Sequence, residues 1–88
     1  MDFQEKEFLE ENLEGMAESH IDCWKDRYFG YSKLDLEHDL SVNHDDSLEI
    51  ENAETSLNRK LTDNETNYLI NQFHKEVVHQ YMNYTRIH

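Results

Sequence analysis

Two stretches of the chain repeat apolar residues every three or four positions, and that spacing restricts the fold more than any other feature. Between residues 4 and 28, Leu9, Leu13, Met16, His20, Trp24 and Tyr28 recur at helical spacing, with Phe8, Ala17, Ile21 and Cys23 widening the stripe. Glu7, Glu10, Glu11, Glu14, Glu18 and Asp22 fall mostly away from it, which predicts an amphipathic helix with one acidic face. Gly15 weakens this helix without ending it, and Gly30 is the expected stop. Between residues 62 and 84, Leu69, Phe73, Val77, Tyr81 and Tyr84 form a second stripe, flanked by Ile70, Val78 and Met82. Thr62 and Glu65 supply a T-x-x-E capping box at its start.

The middle of the chain supports two readings. Leu34, Leu36, His38, Leu40 and Val42 alternate with polar residues, as do Leu48 and Ile50, and Asn43-His44-Asp45-Asp46-Ser47 between them is turn material. That pattern describes an acidic β-hairpin. Ile50, Ala53, Leu57 and Leu61 instead repeat at three and four, which describes a helix running toward the next one. The expected fold class is therefore α+β or mainly α: two helices, 4–28 and 62–84, packed with a short acidic hairpin or an irregular middle segment. With 88 residues the chain is expected to make one domain, 1–88. So short a chain buries a modest core, and the aromatic and aliphatic content of two helices predicts a homodimer.

Charge narrows the function. The net charge is −12; residues 1–26 carry −7, residues 31–56 carry −7 and residues 57–88 carry +1. Direct binding to nucleic acid needs a basic footprint, and so does an anionic membrane surface, so neither is expected. A protein with a basic surface is the expected partner. No apolar run approaches the length of a membrane span. The opening MDFQEKEFLEEN is acidic where a signal peptide would be basic and then apolar. A cytoplasmic protein is expected, in the host cytoplasm if a virus encodes it.

Catalytic chemistry finds little footing. Cys23 is the single cysteine, so an intrachain disulfide and the cysteine-rich zinc sites are excluded. His20 and Cys23 stand at i,i+3, half of a metal site at most, and the simpler expectation is that His20 is a buried, hydrogen-bonded histidine. His74 and His79 are five apart and do not share a helical face. Gly15 and Gly30 are the only glycines, which leaves no loop to cradle phosphate and no oxyanion nest. The expectation is no enzyme, no cofactor and no metal.

Two functional readings fit. Carboxylates displayed on a rigid scaffold can occupy sites built for phosphates, so the chain is expected to inhibit a nucleic-acid-binding enzyme by mimicking DNA or RNA charge. In this respect its composition is similar in type to that of small acidic proteins that viruses direct against host DNA-binding enzymes, though no motif carries the likeness. The alternative is a small acidic adaptor or regulatory subunit whose acids solubilise it and steer the encounter. The residues expected to meet the partner are Glu7, Glu10, Glu11, Glu14, Glu18 and Asp22 on the first helix. Phe29 and Tyr31 are expected at the bend, and Asp35, Glu37, Asp39, Asp45, Asp46, Glu49 and Glu51 in the middle.

Overall fold

A computed structural model describes residues 2–87, with side chains through residue 84. It contains four helices: α1 (Phe3–Trp24), α2 (Lys33–Asn43), α3 (Ser47–Leu57) and α4 (Asp63–Ile87). No strand occurs among the described residues. The protein is mainly α, and the hairpin expected over 33–51 is replaced by α2 and α3.

The reason lies in which members of the alternating set reach the core. Leu36 and Leu40 are buried at helical spacing, with Asp39 between them, whereas Leu34 is 75 % and Val42 63 % exposed. A strand would have turned Leu34, Leu36, Leu40 and Val42 to one face. Ser32 then seals the helical choice. Its side chain accepts from the Asp35 amide at 3.2 Å, and the Asp35 carboxylate accepts from the Ser32 amide at 3.0 Å, a capping box that satisfies two otherwise orphaned donors. In α3, Ala53 is buried while Ile50 and Leu57 pack against the core, so the helical spacing prevails there. Asn58 ends α3 in the left-handed region (φ 58°), its amide directed back to the carbonyls of Glu54 and Thr55.

The two outer helices follow their stripes. Asp2 caps α1 by accepting from the Glu5 amide at 2.8 Å. The Thr62–Glu65 box forms at the head of α4: Glu65 N–H donates to Thr62 Oγ1 at 3.2 Å and Thr62 N–H to Glu65 Oε1 at 2.9 Å. α1 ends at Trp24, four residues earlier than expected. The chain then turns through 25–32, with Gly30 at φ +84°.

α4 is the central element and packs on each of the other three helices, while α1 also meets α3. Leu9, Leu13, Ala17 and Ile21 from α1 join Leu36, Leu40 and Ala53 around Leu69, Phe73, Val77, Val78 and Tyr81 of α4. Phe73 is the largest fully buried side chain. Trp24 and Phe8, on or beside the α1 stripe, are 45 % and 44 % exposed, and Cys23 is exposed as well. No helix among the described residues is long and apolar enough to cross a membrane.

Candidate functional site

The outward face of α1 gathers the largest set of free charge. Glu7, Glu10, Glu11, Glu14, Glu18 and Asp22 are all exposed. Among the described residues none of them enters an ion pair. A helix rises about 1.5 Å per residue, so the six span about 22 Å at one carboxylate per about 4.5 Å. A single DNA strand presents a phosphate about every 3.4 Å of axis. The row is somewhat sparser than one strand and of the same order.

The acids of the middle segment are employed differently. Asp39 is buried and accepts two bonds from Arg27, from Nε at 2.9 Å and Nη2 at 3.0 Å, and a third from the Asn43 amide. These bonds, Arg27 first and Asn43 second, hold its carboxyl down to about 2. The pair ties the α1–α2 turn to the side of α2. Asp35 serves the capping box, and Asp45 accepts from Ser47 at the entry to α3. Those hydrogen bonds lower the carboxyls of Asp35 and Asp45. Glu37 and Glu51 are exposed, with Glu37 standing 4.0 Å from Lys33. Phe29 is 87 % exposed in the turn after α1, whereas Tyr31 packs against the core beside Tyr28. The structure thus separates the expected partner surface. It keeps the α1 row, Glu37, Glu51 and Phe29 on the outside, and it occupies Asp39, Asp46 and Glu49 internally.

Asp46 and Glu49 belong to a polar cluster that no local sequence spacing announces. His44, in the α2–α3 corner, places Nε2 3.2 Å from Glu49 Oε1 and 3.6 Å from Asp46 Oδ1. His74 of α4 reaches the same Asp46 oxygen at 3.0 Å. His20 of α1 lies edge-on to His44 with ring centres 4.7 Å apart, and Phe73 stacks on the His44 ring and meets His20 edge-on. Tyr28 Oη and His20 Nε2 share a hydrogen bond of 2.6 Å, and Tyr81 Oη donates to the Tyr28 carbonyl at 2.7 Å. Burial, reinforced by His44 and His74, pulls His20 down to about 4, so the imidazole is neutral at physiological pH. Burial, with Asp39 nearby, pushes the Tyr28 hydroxyl up to about 12. His20 is the buried, hydrogen-bonded histidine its position on the stripe implies, while Cys23, three residues on, is exposed and not in the cluster.

Ligand atoms of His20, His44 and Glu49 all lie within 4.8 Å of one another, the one grouping of this kind among the described residues. Glu49 is 6 % exposed, and its Oε2 has no hydrogen-bond partner among the described residues. A groove of about 830 Å³ between α1 and α3 opens onto all three, with Trp24 and Leu48 on its walls.

No protein-family model matches the chain, and neither the curated proteins nor the solved structures yield a match.

Proposed function

We propose that this protein binds a basic, nucleic-acid-binding surface of another protein through the outward face of α1, presenting carboxylates where phosphates would otherwise sit. Occupying that surface excludes nucleic acid, so the consequence is inhibition of the partner. The observation that carries the reading is the α1 row: six exposed carboxylates along about 22 Å of one helix, none ion-paired among the described residues. Like charges at i,i+3 and i,i+4 oppose helix formation, and nothing in the packing of α1 requires acids at these positions. Glu37 and Glu51 add exposed carboxylates on α2 and α3, and Phe29, exposed in the turn after α1, is an apolar side chain a partner could cover.

The test begins with capture of partners from cells by the tagged protein and their identification by mass spectrometry. Support requires a nucleic-acid-binding protein whose binding is competed by DNA or RNA, weakens as salt rises, and weakens again when Glu11, Glu14 and Glu18 are changed to Gln. A partner with no basic face, bound through the Trp24–Leu48 groove and indifferent to salt, would replace this reading with that of an adaptor.

A further inference from the structure

We propose that His20, His44 and Glu49 form a binding site for a divalent transition-metal ion of the Zn²⁺ type. The sequence gives no reason to expect it, because the ligands come from α1, the α2–α3 corner and α3 and share no motif.

The first support is geometric. Nitrogen and oxygen ligands bonded to zinc at about 2.1 Å and arranged tetrahedrally stand about 3.4 Å apart. His44 Nε2 and Glu49 Oε1 already stand 3.2 Å apart. The widest ligand separation is bounded by 4.8 Å, so closing it around an ion requires a contraction of at most about 1.4 Å. The contraction involves side-chain rotation within a groove that is already open. That groove is also the entry path a bound ion requires.

The second support is independent of the first. Oε2 of Glu49 is a buried carboxylate oxygen with no hydrogen-bond donor among the described residues. Folded proteins seldom leave such an atom without a partner, and a cation beside it supplies one. A bidentate or bridging carboxylate would use both oxygens.

The donor set then selects the ion. Two imidazoles and one carboxylate suit zinc, iron or another borderline transition metal, and leave a coordination position open toward the groove. Calcium and magnesium require shells of oxygen, which two imidazoles do not provide. One outer contact is of the kind that orients a metal ligand: Tyr28 Oη holds His20 Nε2, which leaves the other ring nitrogen of His20 for the ion.

Calorimetric titration of the full chain with Zn²⁺ tests the site. The expected result is one saturable equivalent, a raised melting temperature, and affinity at least tenfold weaker in Glu49→Gln and in His44→Gln. Cys23→Ser, which removes the exposed thiol on the groove wall, and His79→Ala, an exposed histidine elsewhere, should leave the affinity unchanged. Co²⁺ substitution adds a readout, since its visible spectrum distinguishes a four-coordinate nitrogen and oxygen site from loose surface binding. Glu49→Gln preserves shape, and circular dichroism of each variant separates loss of the site from loss of the fold. Absence of saturable binding to the wild-type chain overturns the proposal. So does binding that persists in both ligand variants, or binding of Mg²⁺ at equal affinity. Failure here leaves the α1 reading untouched, since Glu11, Glu14 and Glu18 are not among the ligands.

Discussion

Replacing Asp39 by Asn tests whether this acid is a structural joint and not part of the partner surface. The carboxylate is nearly enclosed, with 9 % of its side chain exposed, and takes a two-pronged bond from Arg27, whose side chain is 46 % exposed. Holding the carboxyl at about 2 instead of 3.8 corresponds to an upper limit of about 2.5 kcal/mol, at about 1.4 kcal/mol per tenfold change. Because half of Arg27 faces water, screening reduces the expected value to about 1 kcal/mol. The folded carboxyl lies below its unfolded value, so this stabilisation is fully present above about pH 4 and is lost as pH falls through about 2. Urea denaturation of wild type and Asp39→Asn should therefore differ by about 1 kcal/mol at pH 7, equivalent to about 4–8 °C in melting temperature. About half of that difference should disappear by pH 3. Comparing the two proteins at each pH removes the contributions of Glu5, Asp35, Asp45 and Glu65, whose lowered carboxyls titrate in both. A gap of constant size from pH 7 to pH 3 would refute the assignment, as would equal stabilities at pH 7. Affinity for a basic partner should not change in Asp39→Asn, in contrast to the α1 variants.

Changing Glu14 and Glu18 to Gln should raise the melting temperature at low ionic strength, because both stand i,i+4 to other acids, and the gain should shrink in 0.5 M salt, roughly a 4 Å screening length; a loss of stability would show that these acids serve the fold. Phe73→Ala should cost about 3–5 kcal/mol by denaturant titration, out of about 4–13 kcal/mol for a chain of this length, and should also alter the near-ultraviolet signal of the packed aromatic rings. Gly30→Ala should cost about 1–2 kcal/mol from backbone strain alone, since φ is +84° and an added Cβ meets nothing within 4 Å; an unchanged melting temperature would mean that the turn relaxes.

The two long helices were legible because their stripes persist for several turns and because T-x-x-E fixes the start of α4. α2 was not, because Leu34, Leu36, His38, Leu40 and Val42 satisfy a period of two as well as a helix satisfies three and four. The fold resolves the tie by leaving Leu34 and Val42 in solvent and burying Asp39 in the company of Arg27. A buried acid looks like a surface acid until its cation is known, and that cation lies 12 residues upstream across a turn. Ser32 and Asp35 did offer a local signal, since Ser-x-x-Asp before an apolar residue is a capping-box spacing. Within the segment expected to turn, His44, Asp45 and Asp46 form the connection, but it joins two helices, with Asn43 ending α2 and Ser47 opening α3. Nothing local could have joined His20 to His44 and Glu49, because their meeting depends on how α1 packs against α3.

The distribution of cations explains why free acidity concentrates on α1. Arg27 is engaged by Asp39, Arg59 by Glu5 and Glu65, and Lys60 approaches Glu54. Lys6 lies over the Tyr68 ring. These contacts fasten the joints of the fold: the α1–α2 turn, the α3–α4 turn and the approach of the α1 start to the α4 start. Arg59 lowers the carboxyls of both its partners and is itself raised by them, so the joint is strongest when all three groups are charged. The outward face of α1 receives none of these cations. Asp22 sits in its last turn, where no basic residue is present and where the helix dipole favours positive charge. Repulsion along the row and the dipole at its end both act against α1, and the burial of Leu9, Leu13, Ala17 and Ile21 on the opposite face, with the Asp2 cap and the Arg59–Glu5 pair at its start, offsets them. A basic surface laid against that row would relieve both penalties at once, so binding such a partner should stabilise α1 in proportion to the number of carboxylates it neutralises.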